Sequence, residues 1–288
     1  MSHNRLSVPE LPEVETIRRG LAPRVEGRRL AEIEVLDPRW CLPQTPEAVV
    51  AGLRGRRVER LGRRGKYLVW ELEGDHALVQ HLRMTGTVLA DPPAVPPHTR
   101  VRLGLDDGGV LVFVDPRRFG TGHLLEGPAR EAYLDARLGL EPLDPGFTPS
   151  HLRALSRGSR APIKAFLLDQ KRIAGVGNIY ADEALFRARI HPLSEARRLS
   201  PKQLAALCDA VSDALRAGID AGGATIDDFR HADGARGSFQ DEFLVHRRAG
   251  LPCPACGAPI RKLVAAGRGT YICERCQPRP RPRRRKGG

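Results

Sequence analysis

The feature that most constrains this chain lies near its end, where Cys253-x2-Cys256 and Cys273-x2-Cys276 form two tight cysteine pairs separated by sixteen residues. That spacing lets two knuckles close on one tetrahedral Zn²⁺, each pair supplying two thiolates. A module this short has too little core to fold unaided, so metal binding and folding are one event. Four sulfur ligands leave no open coordination position, which makes the predicted single zinc structural. A disulfide framework is disfavoured: the chain has 288 residues but six cysteines, and its opening "MSHNRLS" is too short and polar for a secretory leader. Cys41 and Cys208 stand apart and read as reduced packing residues.

The rest of the chain is long enough for two further cores. Lys and Arg number 47 against 34 Asp and Glu, a net charge of +13, which favours a polyanionic partner such as nucleic acid or an anionic membrane surface. Six of the positive charges fall in the last ten residues, "RPRPRRRKGG", so the body is basic in its own right. That Pro/Arg alternation has nothing to bury and is expected to be disordered. No run of about 18 apolar residues occurs, which argues against a transmembrane helix.

Between Lys66 and Val114 the pattern is that of strands. "KYLVWEL" and "HALVQHL" flank Gly74-Asp75, and "TRVRLGL" and "VLVFV" flank "DDGG", two hairpin signals that predict an antiparallel β domain. "EPLDPGFTPS", residues 141–150, carries three prolines and a glycine and reads as an interdomain linker. Helical patterns follow. "APIKAFLLDQKRIA" and "IYADEALFRARI" bracket "GVGN", and Ser200, Pro201 and Gln203 supply a cap, an N1 proline and a capping-box partner for a helix whose apolar face is Leu204, Leu207, Val211 and Leu215. Gly222-Gly223 closes it, and "RKLVAAGRGTYIC" between the knuckles reads as a β-hairpin with Arg268 near its tip.

The segment "PELPEVETIRRGL" is by itself an amphipathic helix with an acidic start: Leu11, Val14, Ile17 and Leu21 recur at helical spacing, and Glu10, Glu13 and Glu15 suit the positive end of the macrodipole. An ordinary capped surface helix accounts for every residue type in it. The same segment, however, resembles the amino terminus of the bacterial formamidopyrimidine-DNA glycosylases (the Fpg/Nei family). The likeness continues through "GKYLVWEL", "HLRMTG", "DPRRFG", "GVGNIYADEALF", "IHP" and the cysteine module, from about Pro9 to Gln277.

The resemblance implies a bifunctional DNA glycosylase and AP lyase of base excision repair. It would excise oxidised purines, namely 8-oxoguanine and formamidopyrimidines, and cut the abasic strand by β,δ-elimination. It implies an α+β multidomain chain: an N-terminal antiparallel β-sandwich with flanking helices over residues 9–140, a helix-two-turn-helix DNA-binding domain over 151–244, a zinc finger over 245–277 and a basic tail over 278–288, with DNA between the two main domains. Carried over by motif, Pro9 is the nucleophile, Glu10 the acid that assists opening of the deoxyribose, Glu13 its support, Lys66 a phosphate contact assigned to β-elimination, and Arg268 a phosphate contact linked to δ-elimination. Met84, Arg117 and Phe119 match the side chains inserted where a base is flipped out, and His98, Arg118, Arg160, Lys164 and Asn178 match backbone-binding positions. Damaged double-stranded DNA is the implied partner of a cytoplasmic monomer associated with the nucleoid, and no small-molecule cofactor is expected besides zinc.

Two departures stand out. An amine within a peptide bond is delocalised and cannot attack, so residues 1–8 are expected to be a non-native or removed leader, with translation starting at the Val8 codon. The family pattern often has lysine in its "DG-x-x-G" turn and an aromatic just after it, whereas this chain has Ala235 and Ser238, which opens the alternative of an endonuclease VIII-like preference for oxidised pyrimidines. A noncatalytic damaged-DNA binder is the alternative if Pro9 is internal. The tail goes beyond the family pattern and is expected to add nonspecific DNA affinity.

Overall fold

The computed structural model describes residues 9–226 and 229–279. The expected leader and nearly all of the expected tail lie outside them. The chain divides into two compact units: the first takes the chain up to Gly139 together with Arg216–Asp241, the second Leu140–Leu215 together with the chain from Glu242 onward.

In the first unit, helix α1 (Leu11–Val25) precedes β1 (Leu30–Val35), α2 (Pro46–Leu53), β2 (Val58–Arg64), β3 (Tyr67–Leu72), β4 (His76–His81), β5 (Thr87–Ala90), β6 (Thr99–Leu105), β7 (Val110–Val114), β8 (Thr121–Glu126) and α3 (Pro128–Asp135). The strands form two wholly antiparallel sheets, ordered β1-β6-β7-β5 and β2-β3-β4-β8. Alternation decides what faces inward: along β6, Val101, Leu103 and Leu105 are buried while the residues between them are half-exposed. Those side chains meet Leu68, Trp70 and Leu72 of β3 in one core, which Val14, Ile17, Leu21 and Val25 of α1 complete. Each such side chain contributes about 1.5–3 kcal/mol by leaving water. Both expected hairpins form. The first has a three-residue turn, since Leu72 pairs with His76 and both Gly74 and Asp75 take positive φ.

The second unit holds α4 (Pro149–Ser156), α5 (Ile163–Leu168), α6 (Asn178–Arg187), the first part of α7 (Pro201–Asp220) and the hairpin β9 (Arg261–Ala265) and β10 (Arg268–Ile272). The capping box at α7 is present in both directions: Gln203 N donates to Ser200 Oγ at 3.2 Å, and Ser200 N donates to Gln203 Oε1 at 3.0 Å. Leu204, Leu207, Val211 and Leu215 are all buried. Among the described residues no helix is long and apolar enough to cross a membrane.

Two stretches lie elsewhere than their composition suggests. The proline-rich segment 141–150 is packed within the second unit, where Cys208 Sγ donates to Phe147 O at 3.1 Å and Ser212 Oγ to Pro142 O at 2.9 Å. Proline removes donors but leaves carbonyl acceptors free for such contacts. Residues 216–241, read from sequence as part of a helical domain, belong to the first unit. Thr87 Oγ1 donates to Arg230 O, Ala90 N donates to Ala232 O, and Phe229 and Ala232 enter the core of the sheets.

Candidate functional site

Both acids at the start of α1 are 2% exposed. Glu10 caps the helix in extended conformation and shares a capping box with Glu13, whose Oε2 accepts the Glu10 N–H at 2.8 Å. The other oxygen of Glu13 accepts from Ala224 N at 2.8 Å. Glu13 thus joins the first turn of α1 to the segment after α7, and the glycine pair there is what admits it: a Cβ on Gly223 would stand 3.0 Å from Glu13 Cγ, at a φ of +77°. With both oxygens accepting backbone N–H groups, Glu13 fixes the first turn of α1 and the backbone of Glu10, the residue next to Pro9.

Lys66 lies in the two-residue turn joining β2 to β3, after Gly65 at φ +57°. Arg63, near the end of β2, donates to Gly65 O at 2.9 Å and to Glu15 Oε2 at 3.3 Å, which fixes this turn against α1. Burial would raise the Glu15 carboxyl, but Arg18, Arg19 and Arg63 hold it below its ordinary value. His81 is buried opposite Tyr67, and its Nδ1 accepts from Arg83 N at 2.9 Å. Burial, followed by the charges of Arg83 and Lys66, holds its imidazole well below 6.5, so the ring is neutral at pH 7.

The expected inserted residues occupy two neighbouring loops. Met84 is half-buried, Phe119 is 49% exposed, and the Arg117 guanidinium stands 4.8 Å over the Phe119 ring. One side chain that sequence reasoning missed organises them. Asp115, with no exposure, accepts from Phe119 N at 2.8 Å, Gly120 N at 2.7 Å and Arg117 N at 3.2 Å, and its Oδ1 also accepts from the hydroxyl of Thr85. Thr85 follows Met84 directly and in turn accepts from Arg117 N at 3.3 Å. The acid in a "DPRRFG" string with four backbone amides downstream is the signal that could have found it. Arg118, at φ +60°, makes a bidentate pair with the buried Asp37 at 2.6 and 2.9 Å. His98 is exposed, with its carbonyl accepting from Asp115 N at 3.0 Å.

The loop bearing Ala235 and Ser238 is pinned by backbone bonds. Gly237 lies so close to the end of α7 that a Cβ there would come within 2.2 Å of Gly223 O. Ala235 is exposed, while Ser238 turns its hydroxyl toward Ala221 O at 3.3 Å, so neither position extends a long side chain.

In the second unit Gln170, also unpredicted, holds the "GVGN" loop: its Nε2 donates to Val176 O at 2.8 Å and its Oε1 accepts from Gly175 N at 2.9 Å. Asn178, at the first position of α6, donates from Nδ2 to Gly269 O at 3.1 Å. Arg268 is exposed on the hairpin, which turns through Ala266 and Gly267 in left-handed conformation. Arg160 is exposed. Lys164 departs from expectation. It has no exposure and pairs with Asp182 Oδ1 at 2.6 Å and with Thr270 Oγ1 at 2.7 Å, so its ammonium cannot meet a DNA phosphate directly. A charge so enclosed persists only when paired and hydrogen-bonded. Asp182 further binds His246 Nδ1 at 2.9 Å, and Glu183 collects the backbone amides of Leu244, Val245 and His246.

The four Sγ atoms of Cys253, Cys256, Cys273 and Cys276 all lie within 4.8 Å of one another. Sulfurs bound at about 2.3 Å to a tetrahedral Zn²⁺ stand about 3.8 Å apart, and the Cys256–Cys273 and Cys253–Cys276 separations are 3.5 and 3.9 Å. The cluster fits one structural zinc. Its closure stacks Cys253 and Cys273 with Ile260, Val245 and Phe186 in a small core.

Three family descriptions match in order: "Formamidopyrimidine-DNA glycosylase N-terminal domain" over residues 8–122, "Formamidopyrimidine-DNA glycosylase H2TH domain" over 138–230, and "Zinc finger found in FPG and IleRS" over 250–279. The chain is 47% identical over 290 residues to the formamidopyrimidine-DNA glycosylase of Symbiobacterium thermophilum, covering 98% of this chain and 94% of that one. The crystal structure of MutM (Fpg) from Thermus thermophilus is similar with a TM-score of 0.84 at 45% identity, over 93% of this chain and 98% of that one. The Lactococcus lactis Fpg (MutM) superposes with a TM-score of 0.86 over 94% of this chain and 100% of that one, in complexes with DNA containing an oxidized pyrimidine (37% identity) and Fapy-dG (36% identity).

Proposed function

The chain belongs to the formamidopyrimidine-DNA glycosylase family, and from that premise we propose how its own residues divide the reaction. It is a DNA glycosylase and AP lyase of base excision repair, acting on oxidised purines in damaged duplex DNA and holding one structural zinc. The observation that carries the assignment of residues is the start of α1, where Pro9 precedes a buried Glu10 that Glu13 holds in place.

The Pro9 amine attacks C1′ of the extruded nucleotide, the bond from C1′ to the base breaks, and the base leaves. Glu10 delivers a proton to the ring oxygen as the deoxyribose opens, leaving an iminium between Pro9 and C1′. That cation draws electrons from C2′, whose proton is then lost as the 3′-phosphate departs. A second elimination releases the 5′-phosphate, and water frees Pro9. An α-amino group titrates near about 7.7–8.0, against about 10.4 for lysine, so a terminal proline is far more often unprotonated at pH 7. Lys66 contacts phosphate and serves the first elimination, and Arg268 serves the second.

This chemistry needs the Pro9 nitrogen outside a peptide bond, and we infer that the active protein begins there after initiation at the Val8 codon and removal of methionine. The family match that opens at residue 8 supports this. Met84, Arg117 and Phe119 fill the space of the flipped base, since flexible and aromatic side chains replace stacking and arginine reads the orphaned cytosine. His98, Arg118, Arg160 and Asn178 hold the backbone. Residues 9–139 together with 216–241 serve as the catalytic module and residues 140–215 together with 242–277 as the DNA-binding and zinc module, and the tail beyond adds nonspecific affinity. The protein works as a monomer in the bacterial cytoplasm, on the nucleoid.

A second reading, excision of oxidised pyrimidines, is favoured by the short side chains of Ala235 and Ser238 and by the Lactococcus lactis relative solved with such DNA. Incision rates on matched duplexes containing 8-oxoguanine opposite cytosine, Fapy-dG or thymine glycol test the assignment. The purine lesions are expected to be cut faster, and faster cutting of thymine glycol would reverse it.

A further inference from the structure

The outer face of the sheet β2-β3-β4-β8 carries a cluster that the reaction above does not use. Register places Tyr67, His81 and Thr121 side by side on that face, and His123 two residues further along β8. Tyr133 of α3 packs over them, its ring edge-on to Tyr67 with centroids 6.3 Å apart and tilted against His123 at 5.1 Å. The Arg137 guanidinium lies 3.7 Å over the Tyr133 ring, where its Nη1 donates to Tyr133 O at 2.9 Å.

The electrostatics of this cluster have one sign. Elsewhere on the unit several arginines sit on acids, such as Arg24 on Asp91, Arg29 on Glu73 and Arg102 on Glu34. Among the described residues no carboxylate pairs with Arg83 or Arg137. Burial and then Arg137 and Arg83 hold His123 below 6.5, as burial, Arg83 and Lys66 do for His81, so cations surround two neutral imidazoles. Guanidinium groups over aromatic rings, with neutral ring donors beside them and no acid, form a site for an anion.

Its place in the chain says which anion. Arg83 immediately precedes Met84, and Lys66 immediately precedes Tyr67, which pairs with His81 across the sheet, so the cluster adjoins both residues. We propose that Arg137, seated on Tyr133 and flanked by His123 and Arg83, binds a DNA backbone phosphate next to the one that Lys66 meets. This rests on the reading that Lys66 and Met84 face DNA. The site extends the footprint along the strand without touching the reacting sugar.

The test is the salt dependence of affinity, measured on the zinc-loaded full chain with a lesion duplex. Each phosphate contact contributes about 0.9 to the slope of log K against log[salt]. Arg137→Gln is expected to lower the slope by about that amount and to weaken binding at low salt. Arg102→Gln, which removes the same charge from a paired surface arginine, is expected to leave the slope as it was. Lys66→Gln in the same assay tests the underlying reading: on that reading it loses a similar slope and also β-elimination. If Lys66→Gln behaves so but Arg137→Gln matches Arg102→Gln, the proposed phosphate site is wrong. If Lys66→Gln changes neither slope nor elimination, the DNA-facing surface itself has been misplaced and the proposal falls with it.

Discussion

Asn178 donates from its side-chain amide to the carbonyl of Gly269, 3.1 Å away, and so ties the first residue of α6 to the zinc hairpin one residue from Arg268. The same hairpin receives Lys164 at Thr270 and is closed below by the four cysteines. A loop, a helix terminus and the strand that begins at Arg268 are therefore one mechanical piece. Stripping zinc with a chelator should release the hairpin, because a closed four-sulfur site is the main fold-determining contact of a module this small. DNA binding and strand cutting are expected to be lost together and restored by added Zn²⁺. Zinc-free protein that binds lesion DNA at its former affinity would contradict this.

Lys164 separates a structural role from a DNA contact. Lys164→Met leaves Asp182 buried without its ammonium partner, and breaking such a pair costs about 3–5 kcal/mol. Urea unfolding of the zinc-loaded variant should show that loss. A variant of full stability with a salt slope lower by about 0.9 would return Lys164 to the DNA surface.

Thr85 and Asp115 brace the loops that carry Met84 and Arg117–Phe119 against each other. Thr85→Val removes the hydroxyl from a buried carboxylate, at a cost of about 1–3 kcal/mol, and loosens Met84 relative to Arg117 and Phe119. Slower excision opposite cytosine is expected, with Thr85→Ser restoring both rate and stability. If Val and Ser variants cut equally fast, the brace has no part in the reaction.

The buried histidines make stability depend on pH. The folded values of His81 and His123 are depressed, so between those values and about 6.5 a falling pH protonates the rings of the unfolded chain but not of the folded one. Stability therefore falls with pH across that window. Thermal melting from about pH 7.5 to about pH 5 should show the decline, and His81→Gln should flatten it by up to one proton. An unchanged profile in that variant would show that His81 is not held neutral.

How much of this was legible in the sequence follows from which forces are local. The cysteine spacing, the hairpin signal at Gly74-Asp75 and the Ser200–Gln203 capping box act over a few residues, so their patterns specified zinc module, sheet and helix directly. The roles of Asp115, Gln170 and Thr85 depend on backbone amides that converge only after folding, and polar residues near glycines read as loops until then. Lys164 was misplaced for the same reason: a lysine in the first turn of a short helix looks like a surface charge unless its acid, eighteen residues on, is known to turn inward. The Glu13–Ala224 bond spans 211 positions, and no local pattern could announce it.

The central claim is that the Pro9 nitrogen forms the covalent bond to the sugar. Protein expressed from its native start should be incubated with lesion duplex and borohydride, and the trapped adduct digested and located by mass spectrometry. The expected result is a reduced C1′ linkage on an amino-terminal Pro9. A linkage on Lys66, or efficient trapping and strand cutting by protein that retains residues 1–8, would contradict it.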